Sequence, residues 1–196
     1  MKYSKWYLIL ILALSGSFSV EAYCGSSWEA FLDRPNKDVL AALENTIRSS
    51  AQRCSFGNPS NQDIAPTTKQ NMKLFKLIER GNESAFRAAL LVSKCLDGGE
   101  LEDLYRSTGI FFEGQTLAFL QIVKEKEISE SQMKSFLIML PLDSVDDIDR
   151  QILILEKRIL LLKRINEGAF QELRNKGLKI LEKANKELTN IKNRQG

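Results

Sequence analysis

Not one of the 196 residues is histidine, and this absence removes more chemistry than any other feature of the sequence. Serine–histidine and cysteine–histidine nucleophiles need an imidazole as base, and most zinc hydrolases need it as a ligand. Three cysteines, Cys24, Cys54 and Cys95, are too few for a four-thiolate zinc site. No glycine-rich phosphate loop occurs: Asp97-Gly98-Gly99-Glu100 lacks the lysine and the spacing, and puts acid where a phosphate wants a cation. Sustained apolar and polar alternation bounded by hairpin turns is missing as well, which argues against strands. The sequence therefore implies no cofactor, no metal and no catalytic set.

What is present begins with MKYSKWYLILILALSGSFSVEA. Lys2 and Lys5 form a basic start, Trp6 to Leu14 an apolar run too short for a permanent anchor, and Val20-Glu21-Ala22 small residues suited to cleavage. Residues 1–22 read as a secretory signal peptide, with the mature chain starting at Tyr23. Tyr23 before Cys24 does not fit lipoprotein processing. The expected location is periplasmic or secreted, with no membrane insertion after cleavage.

Charge divides the mature chain. Residues 23–149 carry 14 basic and 19 acidic side chains, a net of −5, whereas residues 150–196 carry 12 and 5, a net of +7. In an exported chain nucleic acid is not the expected partner, and the lysines read first as the solvated face of a helix. An oxidising compartment predicts one disulfide and one leftover thiol. Cys24–Cys54 and Cys54–Cys95 are both feasible between neighbouring helices, with Cys24–Cys54 favoured. Either would contribute on the order of 3 kcal/mol.

Apolar spacing predicts helix almost throughout. Trp28, Phe31 and Leu32 share one face, Arg34-Pro35-Asn36 interrupts, and Val39, Leu40, Leu43 and Ile47 recur to about residue 52. Thr67 or Thr68 caps a helix that stops at Gly81-Asn82. The next runs from Glu83 to Leu96, where Asp97-Gly98-Gly99 is expected to end it. A short helix over Leu101 to Ser107 closes near Gly109, and helices follow over 116–126 and 129–140. Ser144 opens the longest segment, with Asp146, Asp147 and Asp149 complementing its dipole. Those acids lack the glycine and spacing of a calcium loop. Ile148, Ile152, Leu155, Ile159 and Leu162 form a heptad seam, which packs inside the fold or pairs two copies as a homodimer. Asn166-Glu167-Gly168 weakens the helix before its last stretch.

The expected fold is all-α: stacked antiparallel helix pairs, solenoid-like or an irregular bundle, with a long C-terminal helix or helical hairpin. The organisation is 1–22 signal peptide, 23–143 helical domain and 144–196 basic helical segment. Short helices joined by two- to five-residue loops, with turn residues near 34, 81, 98 and 109, resemble HEAT and armadillo helical repeats over roughly residues 26–140. No repeat recurs at one period, so the resemblance implies a fold and no functional residues.

Site reasoning has little to hold. Paired carboxylates could hydrolyse a glycan, and Glu79, Glu83, Glu100, Glu102, Asp103 and Glu113 are available. Such acids are equally ordinary on solvated helices. Phe111-Phe112, between Gly109 and Gly114, could present an aromatic anchor, although a phenylalanine capping the core is the commoner arrangement. The expected partner surface is the stretch from Asp97 to Gly114, with Glu100, Glu102, Asp103, Arg106, Phe111 and Phe112. Small exported helical chains without catalytic residues act by occupying another molecule. The expected function is a protein-binding module, in concrete form a periplasmic immunity protein whose negative surface meets a basic toxin. An envelope assembly factor acting through the C-terminal helix is the second reading, and a carboxylate glycan-cleaving enzyme the third.

Overall fold

A computed structural model describes residues 24–49 and 65–195. Among these residues the chain forms nine α-helices and no strand. The leader and Cys54 lie outside the described residues, as does the side chain of Cys24.

Side chains mark most helix starts. Helix α1 is Cys24–Asp33 and α2 is Lys37–Ser49. Between them Asn36 Oδ1 accepts from the Asp38 and Val39 amides, both at 3.0 Å, and so satisfies two orphan donors. Thr67 and Gln70 form a reciprocal capping box for α3, Thr68–Glu79. Gly81 turns the chain at φ +85°, which a side chain would oppose. Asn82 then caps α4, Glu83–Val92.

Asp97 caps α5, Gly98–Gly114, by accepting from the Glu100 amide at 2.8 Å. Gly98 and Gly99 thus open a helix rather than close one. Helix α5 also runs straight through Gly109, where a stop was expected. The reason is spatial: a Cβ at Gly109 would stand 2.7 Å from Arg158 Nη2 and 3.0 Å from the Met139 carbonyl oxygen. Helix α6 is Thr116–Glu125, and Ser129 caps α7, Glu130–Ile138. After a 3-10 turn at Leu142–Ser144, Asp147 rather than Ser144 caps α8, Ile148–Lys163. A second 3-10 turn, Gly168–Phe170, precedes α9, the 25-residue helix Gln171–Gln195.

Helices α1, α3, α5 and α7 touch in that order and make one layer, with α2, α4 and α6 packed against it. Polar ties show that α3 and α5 run in the same direction. Asn71 donates to Glu100 near their starts at 2.9 Å, and Ser107 to Glu79 further along at 2.9 Å. Successive pairs therefore stack as layers, with α4 reversing the chain between α3 and α5. The core is aromatic: Phe86 lies 5.2 Å from Phe111, 6.1 Å from Phe119 and 5.7 Å from Phe136, centroid to centroid. Trp28 packs edge-on to Phe31 at 6.2 Å.

The C-terminal segment is a hairpin. Lys163 pairs with Glu182 at 3.7 Å, and Lys192 at the far end of α9 pairs with Asp149 at the start of α8, so the helices are antiparallel. Leu155, Ile159, Leu162 and Leu181 join the core. Gly177 lets α9 come close: a Cβ there would lie 2.8 Å from Leu162 Cδ1. Cys95 packs against the core. No helix among the described residues is long and apolar enough to cross a membrane.

Candidate functional site

The six residues expected to form a partner surface separate into three groups. Phe111 and Phe112 are fully buried and belong to the aromatic core. The anchor reading for this pair is thereby corrected: Gly109 does not end α5, so the pair sits in the last turn of the helix, on its inner face, rather than in a loop. Glu100 is a tie between helices, accepting from Asn71 Nδ2 and from Thr68 Oγ1 at 3.4 Å. Glu102, Asp103 and Arg106 remain together on the surface of α5. Arg106 donates to Asp103 at 2.9 Å and to Glu102 at 3.0 Å, one turn back along the helix.

Asp103 and Arg106 line a groove of about 250 Å³ between α3, α5 and the turn after α7. Its apolar walls are Met72 and Phe75 from α3, Ile110 from α5, and Pro141 and Leu142 from the turn. Met72 is 58% exposed and Leu142 64% exposed, at opposite walls. Four charged side chains line it, Lys76, Glu79, Asp103 and Arg106, and the signs balance. Glu79 is already engaged by Ser107. Arg106 Nε is shielded from water yet has no acceptor among the described residues. A shielded donor without a partner is costly to keep.

A second depression, about 320 Å³, is lined by Ser93, Tyr105, Ser129, Ser131 and Ser135 among others. Its hydroxyls have local tasks: Ser129 caps α7, Ser93 donates to the Leu90 carbonyl and Ser135 to the Ser131 carbonyl. Burial raises the Tyr105 phenol above its ordinary value.

Glu79 and Asp103 line the same groove, and most of the carboxylates considered for glycan hydrolysis are engaged by partners. Glu113 accepts from Arg158 Nε and Nη2 at 3.0 and 2.9 Å, and from Lys157 at 2.7 Å. Glu79, Glu100, Glu102 and Asp103 hold the partners given above, and Glu83 sits in the first turn of α4. In the acidic stretch before α8, Asp147 is a cap, Asp143 pairs with Arg150 at 2.5 Å and Asp149 with Lys192. Among the described residues no three acidic or thiol side chains gather as a metal would need.

The sequence pointed to Asp103 and Arg106 and missed Met72, Ile110 and Leu142. Met72 follows the same helical spacing as the buried side of α3, and only the neighbours decide which residues stay uncovered. Pro141-Leu142 was legible as a break, and an apolar residue in a turn is the one signal that could have drawn attention to it.

No protein-family model, no curated protein and no solved structure matches the chain.

Proposed function

We propose that this chain is an exported, non-catalytic binding protein that seats an apolar anchor of a protein partner in the groove between α3, α5 and Leu142. The observation that carries the reading is the combination in one place of exposed Met72 and Leu142, an apolar floor, and charged side chains at the rim. An extended segment with a large aliphatic or aromatic side chain would fill the floor. Glu102 and Asp103 beside the groove, and the net −5 of residues 23–149, favour a basic partner. With the leader, the concrete form is a periplasmic immunity or inhibitor protein that blocks a toxin delivered by neighbouring bacteria. The same compartment implies one disulfide, with Cys24–Cys54 and Cys54–Cys95 the feasible pairings.

The envelope-factor reading requires the C-terminal hairpin as the partner surface. Its inner faces are taken up by contacts between α8 and α9 and with α5, α6 and α7, which leaves only the outer faces for a partner. The glycan-cleaving reading requires two free facing carboxylates, and most of those considered hold structural partners.

Photo-crosslinking tests the proposal. A crosslinking residue at position 72 or 142 in the tagged mature chain should capture one protein in the native envelope, and the same residue at position 186 on α9 should not. The purified partner should lose its activity when mixed with the wild-type chain and keep it when mixed with Leu142→Glu. Capture from position 186 alone, or undiminished inhibition by Leu142→Glu, would overturn the groove.

A further inference from the structure

A different surface carries an inference about self-association. The packing of α8 leaves one strip of it open. On one side α9 is tied on by Lys163–Glu182 and Asp149–Lys192; on the other α5 is tied on by Lys157 and Arg158 to Glu113. Down the strip run Leu153, 63% exposed, and Leu160, 56% exposed. They are seven residues apart, so at about 100° per residue they point within about 20° of each other.

The charges beside this leucine line are sorted by sign. Asp149 and Glu156 lie about 30–50° to the α9 side, and Lys157 about 50° and Arg150 about 70° to the α5 side. Glu156 enters no salt bridge among the described residues, and Lys157 meets Glu113 with a head 58% exposed. A strip with an acidic left edge and a basic right edge matches a second copy in one orientation only. Rotation about a two-fold axis parallel to α8 sets acidic edge against basic edge. An antiparallel pairing sets like edges together, acid on acid and base on base. Lys163 and Arg164, alike in sign, confine the match to the stretch from Asp149 to Leu160.

We infer that two copies of this chain associate through the outer strip of α8, parallel and two-fold, with each Leu153 and Leu160 meeting its own counterpart. Glu156 of each copy then faces Lys157 of the other, and Asp149 and Arg150 face each other beside their exposed partners within the chain, Lys192 and Asp143. The interface is isologous. With two exposed leucines per copy it is small, and belongs with weak, reversible contacts rather than permanent ones. It uses none of the residues of the groove, so each proposal can fail alone.

Parallel pairing puts residue 153 opposite itself, and this provides the test. Under mild oxidation the full mature chain carrying Leu153→Cys should form at least ten times more covalent dimer than wild type, or than Lys186→Cys on the outer face of α9. Sedimentation of the wild-type chain over a dilution series should show reversible dimer, and Leu153→Lys with Leu160→Lys should remain monomeric with unchanged helical circular dichroism. Three results would overturn the inference: a monomer at every concentration, no excess of Leu153→Cys dimer over the controls, or covalent dimer only in mixtures of Leu153→Cys and Leu160→Cys chains, which is the antiparallel signature.

Discussion

Arg158 Nη2 fills the space beside Gly109 in which a Cβ would stand, 2.7 Å away. The arginine is fully buried. Its Nη1 donates to the Leu137 and Met139 carbonyls at 2.7 and 2.9 Å, while Nε and Nη2 hold Glu113. Burial alone lowers the guanidinium from its ordinary value, and the Glu113 charge and hydrogen bonds oppose that. One side chain thus joins α5, the end of α7 and α8.

Gly109→Ala should destabilise the fold by about 2–3 kcal/mol in a urea titration. Alanine improves helix propensity by about 1 kcal/mol, but the neighbours here are a pinned guanidinium and a backbone carbonyl, and neither can give way cheaply. An unchanged midpoint would show that Arg158 can move.

Arg158→Met should cost about 3–5 kcal/mol, because it leaves the largely enclosed Glu113 with Lys157 alone and two carbonyls without their donor. Adding Glu113→Gln should recover part of that loss, since a neutral amide costs less to leave without its arginine. A double-mutant cycle on the midpoints reads the coupling.

Gly177 makes the contrasting case. Its nearest neighbours are the tips of Leu162 and Met133 side chains, which can rotate away. Gly177→Ala should therefore change stability by less than about 1 kcal/mol, helix propensity offsetting the shift. Gly177→Leu should destabilise by about 1–3 kcal/mol as α9 is forced from α8. Thermal melts of the two variants distinguish a tight contact from a rigid one.

The Glu125 carboxyl is held below its ordinary value, first by the hydrogen bond from Gln121 and then by that from Arg87. A carboxylate with a depressed folded-state value contributes stability above its unfolded value and loses it as pH falls through the folded one. Glu125→Gln should thus lower the urea midpoint slightly at neutral pH, and the difference should vanish in acid. The effect is small because the carboxylate is 40% exposed.

Helix positions and caps were legible because they depend on neighbours within four residues: Thr67, Ser129 and the spacing along α3 and α7 needed nothing else. Glycine was misread where its role is tertiary. Gly98, Gly99 and Gly109 read in the sequence as stops, the use of glycine at positive φ, and among the described residues only Gly81 serves that way. At Gly109 the useful property is the missing Cβ, and the residue that needs the space is 49 positions away. The same error kept Phe111 and Phe112 among the candidates for a partner surface. The groove was half legible, since charges show themselves in sequence while the exposure of Met72 and Leu142 is decided by what fails to cover them.

Synthesis proceeds from the N-terminus, so α5 and α7 leave the ribosome well before α8 does. Until Arg158 arrives, the notch at Gly109 stands open and the Leu137 and Met139 carbonyls lack its donors. A nascent chain cut off before residue 158 would carry every helix through α7 and still lack the bolt that holds α5 to the end of α7. Closure of the seam between α5 and the end of α7 is therefore a late event in synthesis, one that waits for Arg158 in α8.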